Sequence, residues 1–305
     1  MPFTCHTNLH RNHAAGRQRG MRATATFIVT LFLLYSCYSP RYAYSPPAVN
    51  VPLLTKKGDS KFGALYSNNF PGKEKNATVS RPYSYGLDIH TAYALSNKWA
   101  VQLNYFLRSE KNGDNQGTVN TAAIKYRREL LEAGVGTYRR INGSDKKIFQ
   151  LTAGAGLGKF SFTDRGRDSM LVPYQKYHRS DVWKLFVQPA CMFISKKRTA
   201  ISVASRFSIL YYSNIQTDYS EQQLTNYELF TLGGDPVIFW EPAFVHTIGL
   251  KRLPDIRFEY QFGFSALLSR RFIDARTFNV SAGLQADIAG LLSRKVATKR
   301  TEPLP

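Results

Sequence analysis

The chain has 305 residues, with 41 Lys and Arg against 21 Asp and Glu, and 13% of its residues are aromatic. This length allows one large domain or two ordinary ones. Plentiful Tyr, Phe and Gly favour strands and turns over helices. No window contains the ~20 uninterrupted apolar residues that a membrane-spanning helix needs. The mean hydropathy of −0.31 does not exclude a membrane β-barrel, because alternating strands average their hydropathy away.

The N-terminal region has the form of a secretory signal over residues 1–37, with Met21 predicted as the translation start. Arg22 precedes an apolar run, 27–34, that is too short to span a bilayer. The run ends in LYSC, which resembles the lipobox of bacterial lipoproteins and implies lipid attachment at Cys37. The alternative is an ordinary signal peptide with an incidental cysteine.

The residues after the signal divide into three parts. Residues 38–60 are rich in Pro and Tyr and have no helix or strand period, so we predict an extended tether. We predict a β-barrel over 61–290 and a basic C-terminal tail over 291–305. The three cysteines have no metal-binding spacing, so the sequence predicts no metal site and no cofactor.

From residue 61 onward, apolar and polar residues alternate. In 83–95 the odd positions carry Tyr, Leu, Ile and Thr, and the even positions carry Ser, Gly, Asp, His and Ala. The run 99–110 repeats the pattern after a three-residue turn, which predicts a hairpin. Ten such runs are long enough to cross a bilayer on a tilt. They are 61–70, 83–95, 99–110, 129–141, 147–162, 181–195, 199–213, 240–252, 256–268 and 277–290.

The connections between these runs alternate in length. The short ones are 96–98, 142–146, 196–198 and 253–255; the longer ones are 71–82, 111–128, 163–180, 214–239 and 269–276. Short periplasmic turns and long outer loops are typical of an outer-membrane barrel. We therefore predict an all-β fold, a transmembrane antiparallel up-and-down β-barrel of about 10 strands (8–12). A soluble sandwich also alternates, but it requires neither these long strands nor a secretion signal.

The stretch LTAGAGLGKF (151–160) resembles a phosphate-binding loop at first sight. A Walker loop needs G-x-x-x-x-G-K-[ST] before a helix, whereas Phe160 follows the lysine here and no helical pattern comes after. The glycines at 154, 156 and 158 share one face of the predicted fifth strand. We interpret them as making room for curvature or for a bulky side chain in the lumen.

The polar face of the strands is predicted to line the lumen. At about ten strands the lumen is narrow enough for side chains to fill it, which favours an internal network over a selective pore. The residues on this face are Asp88, His90, Gln102, Asn104, Arg108, Glu132, Gln150, Lys184, Gln188, Arg206, Glu241, Arg257, Glu259, Gln261, Gln285 and Asp287.

Catalysis by a lipase or acyltransferase barrel would need a hydroxyl, an imidazole and an orienting partner within reach. The sequence places His90 inside, His178 in a loop and His246 on the lipid-facing phase. No spacing selects a triad, so we predict no enzymatic activity. The excess of Lys and Arg in the loops is compatible with lipopolysaccharide phosphates or with solvation alone. Nothing besides charge suggests nucleic-acid binding.

Several segments together resemble the small outer-membrane β-barrel lipoproteins of the Bacteroidetes. They are NVPLLTKKGDSKF (50–62), GLDIHTAYALSNKWAVQLNYF (86–106), LLEAGVGTYR (130–139), KLFVQPACMF (184–193) and EPAFVHTIGLKRLPDIRFEYQFGFS (241–265). The resemblance implies a lipid-anchored barrel in the bacterial outer membrane, with no catalytic residues to carry over. The acidic residues that often direct such lipoproteins to the surface are missing after Cys37, which favours an N-terminus on the periplasmic side.

The sequence therefore predicts an outer-membrane barrel in contact with outer-membrane lipids. We expect a structural role or a binding role exerted through its long loops. The alternatives are a narrow channel for small solutes and a lipid-modifying enzyme.

Overall fold

The computed structural model describes residues 41–69, 83–115, 121–144, 146–167, 170–196, 199–253, 255–270 and 273–291. The signal region, Cys37 and the basic tail beyond residue 291 lie outside the described residues. The strands are β1 (Ser60–Asn68), β2 (Tyr83–Ala94), β3 (Trp99–Asn115), β4 (Thr121–Arg140), β5 (Lys147–Arg167), β6 (Pro173–Lys196), β7 (Thr199–Thr217), β8 (Val237–Gly249), β9 (Ile256–Phe264), β10 (Ala266–Leu267) and β11 (Phe278–Ala286). A 3₁₀ turn (Ile141–Gly143) follows β4, and a short helix, α1 (Glu221–Asn226), follows β7.

The strands form one closed antiparallel barrel. From β1 to β9 each strand pairs with the next along the chain, and β11 pairs with both β9 and β1. The two-residue β10 continues β9 after a break at Ser265 and also pairs with β8. The wall therefore has ten strands, which confirms the predicted fold. A closed wall leaves no unpaired strand edge, as a barrel in hydrocarbon requires.

The two ends of the barrel differ in their connections. Short connections at 95–98, 141–146, 197–198 and 250–255 lie at one end, which we call the turn end. The connections after β3, β5, β7 and β10 lie at the opposite end, the hairpin end. The connections after β7 and β10, 218–236 and 268–277, are longer than those at the turn end, as the sequence predicts. Those after β3 and β5 are only 116–120 and 168–172, because the strands themselves continue further at this end.

The outer face carries a belt of exposed apolar side chains. On β6 the belt extends from Trp183 to Phe193, and ten steps of ~3.3 Å at a tilt of ~40° span about 25 Å. Exposed aromatic residues border the belt, among them Tyr85, Trp183 and Tyr211 towards the hairpin end and Trp99 and Phe193 towards the turn end. No helix among the described residues is long and apolar enough to cross a membrane. The belt is the surface that a barrel presents to lipid.

The alternation inverts where the strands leave this belt. On β4 the outward residues within the belt include Leu131 and Val135, whereas beyond it Lys125 faces outward and Ile124 and Tyr126 are buried inside. The inside of the hairpin end is therefore an apolar core that also contains Phe160, Phe162, Tyr212 and Phe239. A second apolar cluster at the turn end includes Leu54, Tyr138, Ile148 and Met192.

This inversion explains where the predicted strand ends are wrong. The predicted loops 111–128 and 163–180 are largely strand, because β3 to β6 continue as paired hairpins beyond the belt. Their apolar residues face inward there, whereas the predicted strand ends assume that apolar residues face outward to lipid along the whole strand. The connection 214–239 instead contains α1, which begins with a capping box at Ser220 and Gln223.

The glycines of β5 lie on the inward face, as the sequence predicts. A Cβ atom at Gly154 would overlap the carbonyl oxygen of Ala133 and lie 2.6 Å from Cζ of Phe186. A Cβ atom at Gly156 would lie 3.0 Å from Cγ of Glu132. The glycines thus leave room for side chains of the neighbouring strands, and the stretch is part of the wall rather than a phosphate-binding loop.

Candidate functional site: the filled lumen

Residues 41–59, which we call the lumen segment, run through the inside of the barrel and end before β1 in a bend at 56–58, where Lys56 and Lys57 are exposed. From Arg41 to Leu54 almost every residue is buried, although the segment forms no helix and only an isolated bridge from Tyr44 to Ala275. The composition of 38–60 predicts an extended tether, and residues 41–59 of it form neither a helix nor a strand. No feature of the sequence pattern predicts their burial.

Wall side chains satisfy the backbone of the lumen segment. The amide of Val49 donates to Oε1 of Gln261 (2.8 Å), and Nε2 of Gln261 donates back to the Val49 carbonyl (3.0 Å). Gln188 and Gln150 donate to the carbonyls of Asn50 (2.8 Å) and Pro52 (2.5 Å). An extended chain without a strand partner needs such bonds, because an unpaired buried backbone group is costly.

Further bonds join the segment to other parts of the wall. The amide of Ala48 donates to Oδ1 of Asp88 on β2 (3.0 Å), and Nδ2 of Asn50 donates to Oδ1 of Asn104 on β3 (2.8 Å). The hydroxyl of Tyr44 donates to Oε1 of Glu241 on β8 (2.5 Å). Arg128 on β4 donates to the carbonyl of Tyr42, and the hydroxyl of Tyr212 on β7 donates to the carbonyl of Ala43 (3.3 Å). Eight of the ten wall strands, β2 to β9, therefore hold the segment.

The lumen segment runs from the hairpin end to the turn end. Arg41 contacts Asp164 near the end of β5, and the amide of Ala43 donates to the carbonyl of Asp274 before β11. At the other end, the amide of Lys57 donates to Oδ1 of Asn97 in the turn after β2 (2.8 Å). The chain thus enters the barrel at the hairpin end and begins β1 at the turn end.

Four charged side chains form a cluster at the middle of the lumen. Nζ of Lys184 lies 3.0 Å from Oε1 of Glu132 and 3.5 Å from Oε2 of Glu241. Nη1 of Arg206 lies 3.3 Å from Oε2 of Glu132. Tyr44 joins the cluster through Glu241 and through Nζ of Lys184 (3.1 Å). Two acids balance two bases, as a buried charged group requires.

Two further charge groups lie nearer the hairpin end. Glu110 is buried between Arg128 (3.1 Å) and Arg276 (3.2 Å). Asp164 accepts from Arg41 (2.9 Å) and from the hydroxyl of Tyr219 (2.7 Å). Burial raises the pKa of Tyr219, which lies in the connection after β7, and the charge of Asp164 raises that pKa further. Tyr219 is therefore a neutral donor to this carboxylate.

The remaining predicted lumen residues lie at several heights along the barrel axis. Asp88 accepts a hydrogen bond from Ser67 and lies 3.9 Å from the guanidinium of Arg108. Glu259 pairs with Lys61 (2.8 Å) and accepts from Gln261 (2.9 Å).

At the turn end, a polar pocket of about 160 Å³ is lined by residues that include Asp59, Asp255, Arg257, Gln285 and Asp287. The buried predicted residues are Asp88, His90, Gln102, Asn104, Arg108, Lys184, Gln188, Arg206, Glu259, Gln261 and Gln285, whereas Arg257 and Asp287 are half-buried.

Sequence reasoning missed several members of these networks. The lumen segment supplies Tyr44 and Asn50, which no strand pattern could place inside. Arg128 and Asp164 lie just beyond the predicted strands 129–141 and 147–162, yet they keep the inward phase of those strands. Continuing the inward positions of each predicted strand by one or two residues beyond its end predicts that both side chains face the lumen.

The lumen has little free space around the segment. The cavity that Pro52, Gln102 and Gln150 help to line measures about 10 Å³, and the one beside Tyr44 and Arg128 about 30 Å³. Such volumes are on the order of one water molecule. At these two places the segment and the wall side chains leave no open path through the described lumen.

The three described histidines occupy separate environments. His90 is buried in the lumen, and His178, predicted in a loop, lies in β6 against the rings of Phe160 and Phe162. His246 faces outward, and its Nδ1 lies 2.8 Å from the hydroxyl of Tyr260. None of the three hydrogen-bonds to a serine within the described ranges. Over the same part of the chain, no group of three or more His, Cys, Asp and Glu is arranged to hold a metal ion.

Comparison with known proteins finds bacterial outer-membrane barrels. The chain is similar to the Escherichia coli outer-membrane protease OmpT (8% identity, 78% of this chain and 98% of that chain, TM-score 0.42). It is also similar to an outer-membrane channel of Pseudomonas putida F1 (11%, 78% and 99%, TM-score 0.35). A third similarity is to OprG of Pseudomonas aeruginosa (13%, 76% and 96%, TM-score 0.30).

No family model and no curated protein matches the chain. Similarity at these scores carries no statement about activity, so the barrel assignment rests on the closed sheet and its apolar belt.

Proposed function

We propose that the protein is a closed β-barrel of the bacterial outer membrane. The barrel holds the hairpin end at the membrane, and the hairpin end is the surface that binds a partner. The observation that supports this role is the lumen segment, which fills the barrel and is hydrogen-bonded to eight strands. A conducting path would need continuous space, whereas the cavities beside the segment are on the order of one water molecule.

The hairpin end has the properties of a presented surface. Hairpins β3–β4 and β5–β6 extend beyond the apolar belt, and the connection after β7 covers the apolar core there with α1, Tyr219 and Leu229. Rigid elements that project from a membrane-anchored barrel are well suited to bind a partner. The predictions of no enzymatic activity, of acylation at Cys37 and of a Bacteroidetes lipoprotein stay predictions.

The orientation follows from the same asymmetry. Outer-membrane barrels place their short turns in the periplasm and their long connections outside. We infer that the hairpin end faces outward, and Arg41, which is buried at that end, then lies towards the outside of the cell. The predicted periplasmic position of the N-terminus concerns residues before Arg41, which lie outside the described residues, and stays a prediction.

The decisive test is the conductance of the purified full chain in a planar bilayer. We expect no stepwise channel openings, because the lumen segment closes the barrel. Before that measurement, an unboiled sample should migrate faster than a boiled one on an SDS gel, as a detergent-resistant barrel does. Regular openings of the folded protein would support the channel alternative and contradict a closed barrel.

A cleavable variant tests whether the segment is what closes the lumen. A protease site inserted between Lys57 and Gly58, in the exposed bend before β1, allows cleavage after folding. Removal of the cut segment in a urea concentration that preserves the fast gel band should produce openings. The same insertion after Gly143, in the exposed 3₁₀ turn, is the matched control and should not.

A further inference from the structure

The outward face of β3 to β6 is basic where it leaves the apolar belt. Lys125 and Arg127 on β4, Lys159 on β5 and Arg179 on β6 are exposed there, and no ion pair with a carboxylate closer than 3.7 Å is formed by these four side chains within the described residues. The acids on this face are Glu129, which lies 3.7 Å from Arg127, and Asp181, which accepts from Asn214 (2.7 Å). Four bases against two acids leave a net positive surface at the border of the belt.

The sheet register brings two of these arginines to either side of a small residue. Arg127 pairs with Ser161, and Ser161 pairs with Arg179 on the next strand. Two strand spacings separate the arginine backbones by about 10 Å. Long guanidinium side chains can therefore converge over Ser161, where the wall presents only a hydroxyl. Guanidinium groups bind phosphate oxygens in a bidentate manner.

An apolar groove lies directly below this basic face, within the belt. Its floor is lined by Ala133, Ala155 and Gly156, and Leu103 and Leu185 are among the side chains that line its walls. The groove measures about 540 Å³.

A second depression of about 410 Å³ continues the groove upward. The two share Leu131, Leu157 and Trp183, and the upper one reaches Glu129, Lys159 and Asp181, the row that lies next to Arg127, Ser161 and Arg179. One continuous groove therefore leads from the belt to the basic face.

We propose that this face binds a phosphorylated, acylated lipid of the outer leaflet. The phosphate lies between Arg127 and Arg179 over Ser161, and one acyl chain fills the groove over Ala133 and Ala155. The proposal deepens the proposed function and rests on it, because the hairpin end must face the outer leaflet. It differs from the sequence expectation, which placed such contacts in the loops rather than on the wall.

The arrangement of charge favours this lipid over an uncharged one. A neutral lipid would fill the groove but would leave the net positive charge of the face uncompensated, whereas a phosphate beside the arginines compensates it. A free phosphate would use the arginines but not the groove. Only a molecule with both parts matches the whole surface, since the basic face and the groove adjoin at Lys159 and Leu157.

The test is native mass spectrometry of the detergent-purified full chain with diphosphoryl lipid A as the probe. Arg127→Gln together with Arg179→Gln should lower the lipid-bound fraction at least about tenfold, because two charge-assisted contacts are lost. Lys98→Gln together with Lys147→Gln removes the same charge from exposed positions at the turn end, and should leave binding unchanged. Equal binding by both double variants would overturn the proposal.

Two further measurements identify which part of the lipid is recognised. Ala155→Leu fills the groove without changing charge and should also lower binding, whereas dephosphorylated lipid A should bind weakly to the unaltered protein. Competition by inorganic phosphate alone would reduce the site to a simple anion site and overturn the lipid assignment. Each variant is first required to keep the heat-dependent gel shift. Failure of lipid binding with that shift intact contradicts this inference and leaves the closed barrel standing.

Discussion

At the scale of single residues, the glycine run of β5 shows how the wall constrains its sequence. A side chain at Gly154 would meet the carbonyl oxygen of Ala133 and the ring of Phe186, whereas one at Gly63 on β1 would have ordinary contact distances of 3.4 Å or more. Both glycines face inward, so they differ mainly in the space around them. The alternation of the sequence predicted this face. It could not show which glycine is closely approached, because that depends on Phe186 from the neighbouring strand.

This difference predicts unequal effects of the same substitution. Gly154→Ala should lower the free energy of unfolding by about 1–3 kcal/mol, the usual cost of overpacking, whereas Gly63→Ala should change it little. Urea unfolding of the detergent-solubilised protein measures both. Equal stability of the two variants would mean that the close approach at Gly154 relaxes without cost.

The central charge cluster allows a test of charge balance. Glu132 is the partner of both Lys184 and Arg206, so Glu132→Gln leaves a surplus positive charge among buried groups. Removal of one member of a buried ion pair costs about 3–5 kcal/mol. Glu132→Gln combined with Lys184→Gln restores neutrality and should recover part of that loss. The measurement is a double-mutant cycle on urea unfolding, and strictly additive losses would contradict the coupling.

At the scale of elements, the sequence predicts the ten wall strands because lipid outside imposes a strict alternation. Beyond the belt the outer face meets water, and the inner face packs an apolar core around Tyr126 and Phe162. The sequence still alternates with a period of two there, but the apolar residues now face inward and the polar residues face outward. The strand ends were therefore misplaced where β3 to β6 continue as hairpins, and 111–128 and 163–180 were predicted as loops.

The lumen segment could not be predicted from periodicity at all. It has no repeat, because each residue meets a different strand of the wall rather than one regular neighbour. Its polar partners were nevertheless predicted as lumen residues, among them Asp88, Asn104, Gln188 and Gln261. The alternation of the strands therefore predicts the wall residues of these contacts, but it does not predict the segment residues that bind them.

The contact between Gln261 and Val49 predicts how this element is held. Gln261→Leu would leave both the amide and the carbonyl of Val49 without their partner, at a cost of about 1–3 kcal/mol for each buried group. Hydrogen–deuterium exchange of the peptide 41–55 should become faster. Gln285→Leu changes another buried inward glutamine away from Val49 and is the control. Unchanged exchange in Gln261→Leu would show that the other strands suffice to hold the segment.

At the scale of the whole molecule, the inside of the barrel has three levels. An apolar core at the hairpin end and another at the turn end enclose charged groups between them. The lumen segment passes through all three levels and links them to the wall. A barrel built in this way gains a packed interior like that of a soluble protein, at the expense of a conducting path.

The difference between the two ends makes the last prediction, which concerns the sides of the membrane. Exposed Met170 lies between β5 and β6 at the hairpin end, whereas the 3₁₀ turn around Gly143 lies at the turn end. An epitope inserted after Met170 should bind antibody on intact cells. The same epitope after Gly143 should bind only after permeabilisation. The opposite pattern would mean that the short turns face outward. Labelling of neither epitope until the cells are opened would contradict a barrel that crosses the outer membrane.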